Sequence, residues 1–122
     1  MSKIDIEISR FLVAGLSAVG VDFFVYYIML NFLNHNLSKA ISFILGTVSA
    51  FVINKYWTFE KLQKSNSEIW KFALLYLCTL GINISTNKIV LDYTNITIFA
   101  FLIATGISAV LNFIGQKFWV FK

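Results

Sequence analysis

Four basic residues, Arg10, Lys55, Lys71 and Lys117, stand at matched places in the two halves of the chain. Each lies at one end of a long apolar run. Arginine offers a planar fork of donors and lysine a mobile point charge, and both suit phosphate oxygens. Brought together at one mouth, the four would form a cationic collar for a phosphate group. Singly, each would be an anchor whose charged head reaches water while its stem covers apolar surface. A second chemical feature is Asp22, inside the first apolar run, twelve residues after Arg10. At ~1.5 Å of rise per residue that places it roughly 18 Å along a helix. A carboxylate in a bilayer costs about 2.5–3.5 kcal/mol on insertion scales, so it must face protein or water. It could be a proton or cation site, a polar contact for a moving head group, or a buried cap bonded to Asn83, Tyr26 or an outer loop.

The elements that position these groups follow from composition. Of 122 residues, 58% are hydrophobic and only 13% charged. That is too little polar surface to cover a soluble domain of this size. Four runs are long enough to cross a bilayer, at about 11–33, 40–57, 69–91 and 97–119. The chain has no proline to break them. The connections expected at 34–38 and 92–95 are short, and the one at 58–68 is longer and charged. The first nine residues are short and amphipathic, and the first run is too long for a signal h-region, so it is expected to be a retained span.

Eight of the ten basic residues, Lys3, Arg10, Lys55, Lys61, Lys64, Lys71, Lys117 and Lys122, fall on one side of these spans, and Lys39 and Lys88 on the other. By the positive-inside rule, both termini and the middle loop face the cytoplasm. Trp57, Trp70 and Trp119 lie at the same ends and read as an interfacial aromatic belt. The charge of +4 is spread between apolar runs, so the anionic partner is a membrane surface and not nucleic acid.

The halves, 1–60 and 61–122, repeat. At an offset of 61, Arg10-Phe11 overlays Lys71-Phe72, Gly20 overlays Gly81 and Asp22 overlays Asn83. At an offset of 62, Asn54-Lys55-Tyr56-Trp57-Thr58-Phe59 overlays Gln116-Lys117-Phe118-Trp119-Val120-Phe121. Each half holds an even number of spans, so both insert in one direction. The expected fold is an all-α membrane protein: one domain of four transmembrane helices, arranged as two tandem, parallel-repeat hairpins. Each helix carries a small or polar stripe at helical spacing: Gly15, Ala18, Asp22 and Tyr26; Gly46, Ala50 and Asn54; Tyr76, Thr79, Asn83 and Asn87; Ser108, Asn112 and Gln116. Small residues let helices approach, and polar ones bond between them. Cys78 reads as a packing residue, and Lys88 and Asp92, one turn apart, as a local ion pair. There is no catalytic or metal-binding motif. The chain reads as a non-enzyme without a cofactor.

The Arg10-Phe11, Gly15 and Asp22 pattern, followed by Phe51-x-x-Asn54-Lys55-x-Trp57-Thr58-Phe59, resembles the GtrA-like family. So does its echo, Lys71-Phe72 with Asn112-Phe113-x-x-Gln116-Lys117-x-Trp119-Val120-Phe121. The chain departs from it at Gln116 and in having Lys at 55 and 117, where arginine is commoner. The resemblance implies translocation of a polyprenyl-phosphate-linked sugar, such as undecaprenyl phosphate-glucose, across a bacterial cytoplasmic membrane for cell-surface polysaccharide or teichoic acid glycosylation. The phosphate would meet Arg10, Lys55, Lys71 and Lys117, and the sugar would pass Asp22, Asn54, Asn83, Asn112 and Gln116. Glycosyltransferases of the pathway would be partners. Four short helices enclose little space, so a homo-oligomer, with a dimer favoured, is expected. The alternatives are a small proton-coupled multidrug or cation exporter, with Asp22 as the coupling group, and a non-transporting scaffold for a glycosyltransferase.

Overall fold

The computed structural model describes residues 2–63 and 66–122. Lys64, counted above among the basic residues of the middle loop, lies outside them. The described residues are helical, with four helices long and apolar enough to cross a membrane. They are α1 (Lys3–Met29), α2 (His35–Ile53), α3 (Ser67–Thr94) and α4 (Thr97–Gly115). A π-helical turn continues α2 over Asn54–Thr58, and another continues α4 over Gln116–Val120. Helices satisfy their own backbone polar groups, and nothing else about an apolar chain would tolerate lipid.

The boundaries differ from expectation where caps act. The first helix begins at Lys3, because Ser2 and Asp5 form a capping box: the Ser2 hydroxyl accepts from the Asp5 amide at 3.3 Å, and the Asp5 carboxylate from the Ser2 amide at 3.4 Å. It stops at Met29, short of the expected residue 33. Helix α2 starts five residues before the expected 40, because the Asn34 side chain accepts from the Leu37 amide at 2.8 Å. Lys39 is therefore helical. Helix α3 ends at Asn95, whose φ of 58° is left-handed and whose N–H reaches the Leu91 carbonyl at 2.8 Å. Asparagine is among the few residues that adopt this conformation readily.

The chain divides into two compact units, Met1–Leu62 and Gln63–Lys122. In the first, α1 packs along α2. The buried stripe of α2 takes every fourth residue: Ser38, Ser42, Gly46 and Ala50, continued by Asn54. A Cβ on Gly46 would lie 2.9 Å from the Ala18 carbonyl oxygen and 3.2 Å from the Asp22 Cβ. The two backbones therefore meet at Gly46, the close approach that small residues allow in membranes. In the second unit, α3 packs along α4, whose buried stripe is Ala100, Ala104, Ser108 and Gln116. Here polar bonds join the helices. The Thr79 hydroxyl donates to Asn112 Oδ1 at 3.0 Å, and the Ser108 hydroxyl to the Thr79 carbonyl at 3.4 Å.

Large apolar side chains such as Leu16, Phe24, Leu77 and Phe101 are exposed, as lipid-facing groups are. Cys78 is also exposed, contrary to the packing role expected for it. Lys88 and Asp92 are exposed and form no ion pair among the described residues. An exposed pair gains too little Coulomb energy to fix two side chains.

Gly46→Ala is expected to destabilise the protein by about 1–3 kcal/mol, because a methyl group must displace helix backbone. Gly115→Ala should cost less, since its Cβ would meet only movable Leu75 side-chain atoms. Unfolding by SDS titration from mixed micelles measures both.

Candidate functional site

The basic residues of each hairpin sit at the end where its π turn lies. In the first unit, the Arg10 guanidinium stacks over the Trp57 indole, 5.2 Å from the ring centroid. Its Nη1 donates to the Trp57 carbonyl at 2.8 Å and to Glu60 Oε1 at 2.8 Å. Beside it, Phe11 and Phe59 have ring centroids 6.4 Å apart. The second unit has the corresponding set. Lys71 lies over Trp119 at 5.8 Å, and Phe72 and Phe121 are 6.3 Å apart. Trp57 and Trp119, read from sequence as belt residues, are thus partners of the helix-start cations, a contact worth about 0.5–2 kcal/mol by desolvation.

The π turns place these aromatics. The Phe59 amide bonds to the Asn54 carbonyl at 2.9 Å, and the Phe121 amide to the Gln116 carbonyl at 2.8 Å. Both skip one residue more than an α-helix does. The wider turn changes the angular position of every side chain after it. In the first turn, the buried Thr58 hydroxyl donates to Asn54 Oδ1 at 2.8 Å. The second has Gln116 and Val120 at these places, so it has no such bond to make. Lys55 and Lys117 lie within the turns, each with its ammonium about one ring away from the next aromatic: Tyr56 at 5.5 Å and Phe118 at 5.6 Å. Lys55 is buried at 4% exposure. Each unit therefore carries two of the four basic residues.

Around Arg10 the first unit has a cavity of about 320 Å³, lined by Lys3, Ile6, Glu7, Arg10, Thr58, Phe59 and Glu60. It is ample for a phosphate group. Sequence reasoning picked out Arg10 but missed Glu60, which lies in the loop beyond the last apolar residue and gave no periodic signal.

Asp22 has partners that the sequence did not suggest. Lys39 Nζ donates to both of its carboxylate oxygens, at 2.9 and 2.8 Å, and the Ser42 hydroxyl donates to Oδ1 at 2.6 Å. Neither Asn83 nor Tyr26 is bonded to it. Tyr26 instead pairs with His35 Nδ1 at 2.9 Å, and its ring lies 5.9 Å below the Lys39 ammonium. The carboxylate near the far end of α1 is thus neutralised within its own hairpin. At the matched places of the second unit stand Asn83, Phe101 and Ala104. The carboxylate, the cation and the hydroxyl are all absent there together. Of the expected sugar-path residues, Asn54 and Asn112 are engaged inside their hairpins, Gln116 is buried, and Asn83 is half-buried.

Lys39→Met should strand the Asp22 carboxylate and destabilise by about 1–2 kcal/mol, between the values for exposed and buried pairs because Lys39 is largely exposed. Asp22→Asn combined with Lys39→Met should cost less than the two changes summed, and a double-mutant cycle by SDS unfolding reads the difference.

The sequence matches the family described as GtrA/DPMS, transmembrane domain, over residues 10–121. It is also similar to the uncharacterized membrane protein YngA of Bacillus subtilis (strain 168), with 26% identity over 116 residues, covering 93% of this chain and 78% of that one. The match spans both hairpins with their paired cations and tryptophans, and the chain is a multi-pass membrane protein belonging to the GtrA/DPMS transmembrane-domain family.

Proposed function

We propose that this protein carries a polyprenyl-phosphate-linked sugar, such as undecaprenyl phosphate-glucose, across the bacterial cytoplasmic membrane to serve cell-surface glycosylation. The observation that carries the reading is the cavity around Arg10. A guanidinium there is fixed by an indole face and a backbone carbonyl at a helix end rich in basic residues. Such a group binds phosphate by charge and by directed donors. In the second hairpin Lys71 over Trp119 offers phosphate a point charge of the same kind.

The basic ends face the cytoplasm in this reading, where the positive-inside rule puts them and where the lipid-linked sugar is made. The phosphate engages the cations, and the sugar passes polar residues that the packing leaves partly exposed, such as Asn83. The polyprenyl tail stays in lipid. Glycosyltransferases on the opposite face consume the sugar. Each hairpin is closely packed along its small stripe, so a second copy of the chain completes the path. The protein acts as a carrier, not as an enzyme.

The exporter alternative needs a carboxylate free to exchange protons. Asp22 bonded to Lys39 and Ser42 speaks against it.

Reconstituted in liposomes, the protein should equilibrate a fluorescent polyprenyl-phosphate sugar between leaflets well above the rate of protein-free vesicles. Arg10→Ala together with Lys71→Ala should lower that rate at least tenfold, and Trp57→Ala should lower it less. A wild-type rate equal to that of empty vesicles overturns the reading.

A further inference from the structure

Among the described residues, the cation at the start of the first hairpin already holds an anion, and the one in the second does not. Glu60 Oε1 lies 2.8 Å from Arg10 Nη1. The same nitrogen serves the Trp57 carbonyl, so the carboxylate takes a single-point contact and not the bidentate fork that arginine favours. Arg10 Nε and Nη2 make no hydrogen bond to the described residues, and the side chain lines the cavity together with Lys3. The Glu60 side chain is 65% exposed, and among the described residues Arg10 is its one side-chain partner.

Its backbone is also unusual. Glu60 has a φ of 51°, in the left-handed region that residues other than glycine and asparagine seldom adopt. Residues held in such conformations gather at clamps and switches. The conformation turns the chain back after the π turn and delivers the carboxylate to the rim of the cavity. At the matched place the second hairpin has Lys122 in place of Glu60, and among the described residues Lys71 forms no ion pair.

We propose that Glu60 is a resident stand-in for the lipid phosphate: it occupies Arg10 when the cavity is empty and is expelled when a phosphate headgroup enters, so that it sets the affinity of the site. This rests on the phosphate reading given above. The phosphodiester of a lipid-linked sugar, a single anion like the carboxylate, outcompetes it because its oxygens can take the unused Nε and Nη2 donors together with the Lys3 charge. The carboxylate in turn makes binding weaker than an open arginine would give, which lets the headgroup leave. The two hairpins then differ in kind, the first with a competed arginine and the second with an open lysine.

The test is equilibrium binding of farnesyl phosphate to the full-length protein in detergent micelles, with thermal stability monitored alongside. Glu60→Gln should tighten binding about tenfold. Glu60→Gly, which removes the carboxylate and suits the backbone conformation, should do at least as much, and covers the case in which the glutamine variant misfolds. Arg10→Ala should weaken binding, and in that background Glu60→Gln should change nothing. If Arg10→Ala weakens binding but neither Glu60 variant tightens it, the phosphate site stands and the stand-in role is overturned. If Glu60→Gln tightens binding equally without Arg10, the effect is general surface charge and the proposal also falls. If Arg10→Ala leaves binding intact, the phosphate reading itself fails and takes the Glu60 proposal with it.

Discussion

The close approach at Gly46 governs the first hairpin. A residue without a side chain at that crossing brings the α2 backbone against Ala18 and Asp22. Dispersion contacts along a stripe of small residues then replace the hydrophobic effect, which lipid does not supply between helices. The polar contacts at both ends depend on that spacing. Asp22 comes within reach of Lys39 and Ser42 at one end, and Arg10 within reach of Trp57 and Glu60 at the other. In the second hairpin the same crossing is made by Ser108 and Thr79, with hydroxyl bonds in the space that glycine leaves empty. The matched crossing points are thus closed by two kinds of interaction, backbone contact at Gly46 and hydroxyl bonding at Ser108.

Much of this was legible in the residues. Four helices follow from the lengths of apolar runs and the lack of charge to cover a soluble surface. The matched Arg10 and Lys71, and the matched Trp57 and Trp119, were visible because the sequence repeats them. That each cation meets its tryptophan was not visible, since the repeat aligns copies with one another and says nothing of contacts within a copy. Two other features were hidden for definite reasons. The π turns leave no mark, because a single extra residue per turn has no periodicity of its own over five residues. The partner of Asp22 was missed because Lys39 was placed before the second span; the Asn34 cap starts the helix early and carries the lysine alongside the carboxylate.

The sharpest asymmetry between the hairpins lies in their charges. The first has an ion pair at each end, Arg10 with Glu60 and Lys39 with Asp22. The second has Lys71 and Lys122, and Asn83 and Phe101, at those four places. Both members of the outer pair are gone, as expected when an unpaired charge in a membrane is costlier than none. At the other end the cation persists and only the carboxylate is reversed.

The π turns carry a consequence for heredity. Each adds one residue to a helical turn, so the tryptophan near its end and the phenylalanine beyond it are rotated relative to the stripe that packs the hairpin. Losing a single codon there would restore an α turn and swing the whole aromatic end to another azimuth without altering the helix below. In each hairpin, the packed stripe and the basic, aromatic end are therefore geared by the number of residues in one turn, and a reading-frame-preserving deletion could separate them where substitution would not.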